Sequence, residues 1–358
     1  MNTFAAQDLA TFAQTVLAKA GARDDIAAAT ATYLLEGDLL GFSTHGLKRL
    51  YFNAKLLADG KARGDGAIKI VRDRAAVATW DAAFLPGPYV AAQAVEAACA
   101  KAKIAGTGSI VVKRAQHVAS LAAYLRIATE QGLLVNLICS TPAQSSVAPF
   151  GAKQALFSPN PYAVGVPTST TPILIDISLS MTAAGKVRQF WERGEALPWP
   201  ALITATGELS QDPSVYIEGE GAAILPLGGH DLGYKGSALC LMSEIWTMGL
   251  SNYGRSQGPD DGESNSLFVQ VLDPAAFGEP SEFIQQADDL VARMQACTPI
   301  DSTKPVRVPG QRALQYRQQQ LAEGVQLDSA TVGRLERAAE RFDVAMPKAM
   351  PKPMPLRL

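Results

Sequence analysis

Residues 104–140 read IAGTGSIVVKRAQHVASLAAYLRIATEQGLLVNLICS. The β-branched run Ile110–Val112 predicts a strand. The Ala- and Leu-rich stretch Ser120–Gln131 predicts a helix, and the apolar run Leu133–Cys139 a buried strand. Strand, helix and strand within one short window indicate α/β architecture. The glycine pair Gly106-Thr107-Gly108 stands before the first of these strands. The dinucleotide fingerprint has to follow a strand and open a helix, so this pair does not supply it. The other candidate, Gly219-Glu220-Gly221, leads to no third glycine at the required offset. A nucleotide fold of the Rossmann type is therefore not expected.

Working outward, the same alternation extends in both directions. Ala67–Val71 and Ala75–Trp80 read as strands and Pro88–Ile104 as a helix. Ile173–Ile177, Ala222–Leu225 and Leu267–Leu272 read as further strands, and Gly236–Gly249 as a buried helix. Strands interleaved with helices predict a sheet covered on both faces. Before residue 67 the pattern is helical. Leu9, Phe12, Val16 and Leu17 recur at helical spacing, and Asp24 or Asp25 can cap a helix carrying Ile26, Leu34, Leu35 and Leu39. After Gly41, Ser43 or Thr44 can cap a third helix from about His45 to Ala58. Residues 255–265 read as a polar loop. Two helices then follow, at about 311–322 and 329–343, the second capped by Asp328 or Ser329. Pro347, Pro351, Pro353 and Pro355 exclude a helix at the end. Residues 346–358 are expected to form an extended arm, packed on a partner subunit or hanging free. The expected organisation is an α/β domain (67–284) inserted into a helical domain built from both chain ends (1–66 and 285–345).

With 32 basic and 34 acidic residues, the chain has no cationic surplus with which to neutralise a polyanion, so nucleic-acid binding is not expected. No run of about 18 apolar residues suggests a membrane span. The first 20 residues carry Asp8 within an amphipathic pattern and do not read as a signal peptide. Cys99, Cys139, Cys240 and Cys297 form no C-x-x-C pair, which points to free thiols in a reducing, cytoplasmic setting. No metal-ligand spacing occurs, and no metal is expected.

The chain has only three histidines, His45, His117 and His230, so an acid/base working near neutral pH has few candidates. If a helix begins at Thr44, His45 and Arg49 share a face. The free N–H groups at its start and the guanidinium fork would then suit a carboxylate. One turn could hold a carboxylate and set an imidazole beside the adjacent carbonyl. From spacing alone, a polar helix start with a surface arginine is favoured. His117 follows a strand, where α/β sheets often face a crevice, although taken alone a loop histidine satisfied by backbone is favoured. His230 lies in the glycine-rich loop 228–236. Lys235 there could meet a phosphate, or the segment could be a flexible loop before a helix.

Several stretches together resemble one family. Asp38-Leu-Leu-Gly-Phe-Ser-Thr-His-Gly-Leu-Lys-Arg49 is similar to its D-x-x-G-x-x-S-H-G-x-x-R motif. His117 and Tyr124 match H-x-G-x-x-x-x-Y, and Asn160-Pro161 matches N-P. Asp176–Lys186 matches D-x-A-x-S-x-x-A-x-G-K. Pro226–Gly229 with Gly233–Gly236 matches P-x-G-G and G-Y-K-G, and Pro309-Gly310-Gln311 matches P-G-E. The matches run in order from about residue 9 to 340. They identify the chain as similar to the malate/L-lactate/L-sulfolactate dehydrogenases, which include ureidoglycolate dehydrogenases, diketogulonate reductases and cyclic-imine reductases.

The resemblance implies a non-Rossmann, mixed-sheet cofactor domain, a homodimer, and hydride transfer between NAD or NADP and C2 of a small 2-oxo or 2-hydroxy acid. It implies His45 as proton donor, oriented by Thr44 in place of the usual serine, with His117 lining the same pocket. Arg49 would bind the substrate carboxylate, and Lys186 is a further substrate candidate. Ser140, Asn160, Asp176, Ser178, Lys235, Gly236, Pro309, Gly310 and Gln311 would meet the cofactor. Reduction of a cyclic imino acid is the alternative activity. In that branch the position of Lys186 tends to be acidic, which argues against it. A cofactor-binding protein without turnover is the alternative of another class, and retention of both His45 and His117 argues against it.

Overall fold

The structure, a computed structural model, describes residues 2–257 and 264–350. The chain opens with a short strand, β1 (Asn2–Phe4), followed by α1 (Ala6–Lys19) and α2 (Asp24–Leu39). Asp24 and Asp25 occupy the first turn of α2, where carboxylates complement the helix dipole, and Arg23 holds the cap position. Two single 3-10 turns follow, Ser43–His45 and Leu47–Arg49, and α3 begins only at Leu50 and runs to Ala58. The continuous helix expected from His45 is thus corrected. The reason is a contact nine residues back. The buried carboxylate of Asp38 accepts the Leu47 N–H at 2.6 Å and splits the segment into two turns.

The main sheet follows: β2 (Lys69–Asp73), β3 (Val77–Asp81), α4 (Gly87–Ala105), β4 (Thr107–Ala115), α5 (Ala122–Thr129), β5 (Leu134–Ser140), β6 (Tyr162–Val166) and β7 (Ile173–Ile177). After β7 come α6 (Ala184–Arg193), β8 (Leu202–Ile203), β9 (Leu209–Ser210), α7 (Ser214–Ile217), β10 (Ala223–Ile224), α8 (Gly229–Leu232) and α9 (Tyr234–Glu244), the last continued by a π turn, Ile245–Gly249. β11 (Asn265–Leu272) then re-enters the sheet. α10 (Pro280–Ala296), α11 (Gln311–Glu323), β12 (Val325–Leu327) and α12 (Ser329–Phe342) complete the chain. Part of the loop read at 255–265 and most of the proline-rich arm lie outside the described residues. The described part of the arm packs on its own chain: the Met350 N–H donates to the Thr3 carbonyl, and Met346 touches the main core.

The sheet order is β2-β3-β4-β11-β5-β6-β7. Only β3 and β4 are parallel, joined over the face by α4, and every other pair is antiparallel. This is a mixed sheet with no Rossmann crossover set. α4 and α5 cover one face, and α9 with its π turn covers the other. Strand β10 does not join this sheet. It pairs with β8, and β8 with β9, in a separate small sheet. Both chain ends meet where β1 pairs with β12, and one continuous apolar core runs from α1 and α2 through α4 to the sheet. The boundary expected at 285 falls inside α10. The helix expected at 236–249 is not buried as predicted: Leu241 and Ile245 are more than half exposed.

Candidate functional site

Three side chains singled out in the sequence converge. His45 comes from the first 3-10 turn, Arg49 from the second, and His117 from the loop after β4. All three line one cavity of about 410 Å³, together with Thr44, Phe42, Thr141, Gln144, Asp176, Ser178, Ala183–Gly185 and Asn265. The two imidazoles lie stacked, ring centres 5.7 Å apart and 17° from parallel. Arg49 lies over the Phe52 ring at 4.9 Å. Convergence is thus achieved without the shared helical face that spacing suggested. The N–H groups at this turn are not left for a ligand either: Asp38 takes that of Leu47, and the Phe42 carbonyl takes that of His45.

The packing around these turns is close. A Cβ on Gly46 would stand 2.3 Å from Asp38 Oδ2, so only glycine lets the chain pass the carboxylate between His45 and Leu47. A Cβ on Gly87, at the start of α4, would meet the Gln116 and His117 carbonyls at 2.1 and 2.4 Å. α4 therefore presses directly on the backbone that carries His117.

The electrostatics follow from burial. Desolvation, then the nearby Arg49 charge, pushes the His45 imidazole down to about 4. Desolvation holds His117 well below its ordinary value, with Arg49 and His45 adding to it. Both rings are neutral at neutral pH. Desolvation raises Asp176 to about 6, although the Ala122 N–H and the Ser120 hydroxyl bond to its carboxylate. Desolvation also raises Asp38 to about 7 against the bond from Leu47. A neutral imidazole beside a guanidinium can accept a proton from a hydroxyl group. It can donate one after charging, which an anion bound at Arg49 would favour.

Beyond this cavity lie two others that share walls with it. One, of about 280 Å³, runs between Phe42, Asp176, Ile177, Pro309 and Gly310. The next, of about 960 Å³, opens outward past Ser43, Pro309, Gly310, Tyr316, Arg307 and Arg312. Together they form a long crevice ending at the paired imidazoles.

Other sequence candidates fall outside it. Lys186 and Lys235 are exposed and stand over the Phe190 and Tyr234 rings. Ser140 is buried and absent from the cavity wall, to which its neighbours Cys139 and Thr141 contribute. Asn160 is buried behind the wall, donating to Glu244 and accepting from Ser158. Gly236 packs against the Leu227 backbone, and Gln311 accepts the Val308 N–H. Sequence reasoning missed Asn265, Thr141 and Gln144. Asn265 Oδ1 accepts the Val118 N–H at 2.9 Å, while its amide donates to Thr141 at 2.9 Å, joining the His117 loop to the end of β5.

A mixed-sheet α/β fold with two imidazoles and a guanidinium at the end of a crevice defines the class, and comparison with known proteins supplies the family. The malate/L-lactate dehydrogenase family model matches residues 4–336. The L-sulfolactate dehydrogenase of Methanothermobacter thermautotrophicus is 29% identical over 320 residues, covering 88% of this chain and 89% of that protein. The malate dehydrogenase structure from Entamoeba histolytica superposes with a TM-score of 0.89 at 22% identity, covering 97% and 99% of the two chains. The delta1-piperideine-2-carboxylate reductase structure from Pseudomonas syringae gives 0.84 at 26% identity, covering 95% and 100%. The chain belongs to the malate/L-lactate dehydrogenase family. It is an enzyme of the oxidoreductase class.

Proposed function

We propose that the chain transfers hydride between C4 of NAD(P) and C2 of a small 2-oxo or 2-hydroxy acid. The observation that carries this reading is the convergence of His45, His117 and Arg49 on one cavity at the end of a crevice. Arg49 binds the substrate carboxylate through a charge-assisted pair. The two imidazoles then flank the carbon's oxygen, and His45 exchanges the proton there. The cofactor, when bound, supplies or takes the hydride.

Several residues fit a dinucleotide. Phe42, Asp176, Ser178, Pro309 and Gly310 wall the crevice. Arg307 and Arg312 line its outer part and have no ion-pair partner among the described residues, which suits phosphate. Ser140, Asn160 and Gln311 adjoin residues of this wall, while Gly236, Lys186 and Lys235 line none of the three cavities.

The likeness to the piperideine-carboxylate reductase supports a second reading, reduction of a cyclic imino acid. Lys186, which argued against it, lies outside the cavity and does not discriminate. A homodimer fits the exposed apolar residues Leu232, Leu241, Ile245 and Leu250 on and beside α9. A cytoplasmic site fits the four free cysteines.

The test follows loss of reduced nicotinamide absorbance, with NADH and NADPH in turn, against pyruvate, oxaloacetate, phenylpyruvate, 2-oxoglutarate and piperideine-2-carboxylate. Turnover of an oxo acid is expected. Turnover of the imine alone would establish the second reading, and cofactor binding with no turnover would overturn both.

A further inference from the structure

The two imidazoles share a cavity, yet their second nitrogens meet different partners. His117 Nδ1 accepts the backbone N–H of Ala119 at 3.1 Å. His45 Nδ1 lies 2.8 Å from the Thr44 hydroxyl. A backbone amide can only donate, whereas a hydroxyl rotates and can donate or accept.

The Ala119 amide is also held in place. Both backbone groups of Val118 are tied: its N–H donates to Asn265 Oδ1, and its carbonyl, which shares a peptide plane with the Ala119 N–H, accepts from the buried Tyr124 hydroxyl. Ala119 itself is fixed at φ +62°, a left-handed conformation costly for alanine and kept only by its surroundings. Behind the loop, Gly87 packs against the Gln116 and His117 carbonyls. The bond from Tyr124 to the Val118 carbonyl thus holds the peptide that presents the Ala119 N–H to the ring.

We propose that His117 is locked as the neutral Nε2–H tautomer and acts as a fixed hydrogen-bond donor to the substrate, while His45 alone exchanges the proton. A protonated His117 would set an N–H against the Ala119 N–H and lose a buried bond. A neutral His117 that gave up its Nε2 proton would become an imidazolate. Neither state is accessible at working pH. His45 has no such block. Nδ1–H donates to the Thr44 hydroxyl in both the neutral and the charged ring, so Nε2 is left to take up and return the proton. The remaining ionisable groups on the cavity wall are Arg49, beside both rings, Asp176 from β7, which is itself bonded to Ala122 and Ser120, and the Cys139 thiol, which burial keeps protonated. The role given to His117 rests on the function proposed above, whereas its tautomer does not.

The test has two arms. In 15N-histidine-labelled, ligand-free protein, the three histidines are assigned by single substitution, and two-bond nitrogen–proton spectra report each tautomer across the pH range of the folded state. His117 is expected to keep its proton on Nε2 throughout. A proton on Nδ1, or conversion to the imidazolium, would overturn the proposal whether or not any substrate has been found.

In the second arm, His117→Gln places an N–H donor near the former Nε2, and His117→Asn keeps an oxygen acceptor for Ala119 but lacks the donor. On a substrate turned over by the native enzyme, His117→Asn is expected to lose about a hundredfold in kcat, the cost of removing one donor from a developing oxyanion. His117→Gln is expected to stay within about tenfold, a difference of roughly 1.4 kcal/mol. Both should keep the pH limb set by His45. Full activity in His117→Asn, or loss of that limb in His117→Gln, would contradict the assignment. If the native enzyme turns over nothing, the functional reading fails while the tautomer still stands or falls by the first arm.

Discussion

Replacing Asp38 by asparagine should flatten the dependence of stability on pH. Asp38 is 4% exposed, and burial raises its carboxyl from 3.8 to about 7. Between those values the native state holds a proton that the unfolded chain has released, so stability falls as pH rises through this window. Fully developed, the shift corresponds to about 4 kcal/mol at about 1.36 kcal/mol per unit. Between pH 5 and pH 8 the part developed is about 2–3 kcal/mol. Asparagine is nearly isosteric, keeps an oxygen for the Leu47 N–H and does not ionise. Asp176 is shifted in the same direction, but it is present in both proteins and cancels in the difference. Equilibrium urea unfolding of native protein and Asp38→Asn at pH 5 and pH 8 gives the four stabilities needed. The variant should gain about 2–3 kcal/mol relative to native protein on going from pH 5 to pH 8. Equal pH slopes in the two proteins would refute the claim that this carboxyl is held neutral by its surroundings.

Three further outcomes follow from the site. His45→Gln should lower turnover by at least about a hundredfold with cofactor binding unchanged by fluorescence titration, and an unchanged rate would remove His45 from the chemistry. Gly46→Ala places a methyl 2.3 Å from Asp38 Oδ2 although its φ of −98° suits alanine. It should therefore destabilise by about 1–3 kcal/mol and lower kcat/KM together, whereas native-like kinetics would show that the turn is not tightly positioned. Binding of oxamate, an unreactive 2-oxo acid analogue, offsets the Arg49 charge that helps hold His45 low. Binding should then take up protons and strengthen as pH falls, seen by calorimetry in two buffers of different ionisation enthalpy. Identical heats in both would contradict this coupling.

The local signals were legible where they were strong. Strand β7 stands where the sequence put it, and α11 and α12 agree to within a residue, with Asp328 capping α12 through Thr331. What escaped depended on contacts distant in sequence. Strands β1 and β12 are three residues each and exist through one another. Strand β6 runs through Gly165, which breaks the run of β-branched residues in the sequence and whose missing side chain admits Thr129 and Val135. Helix α10 has no buried residue to announce itself. Residue type and order singled out His45, Arg49 and His117, which line one cavity, but not the geometry joining them, because Asp38 breaks the helix from outside the window. Alternation along β5 accounts for the place of Ser140: Cys139 and Thr141 line the cavity and Ser140 between them does not. The long helix at 236–249 read as buried because it is apolar all round, and its uncovered face is where a second subunit is proposed.

A crystal structure with reduced nicotinamide dinucleotide and oxamate tests the central claim most directly. The account predicts the oxamate carboxylate on Arg49, its carbonyl oxygen between His45 and His117, and the dinucleotide along Phe42, Asp176 and Pro309-Gly310 with its nicotinamide facing the oxamate. Oxamate bound away from the two imidazoles, or a dinucleotide lying on another surface, would contradict it.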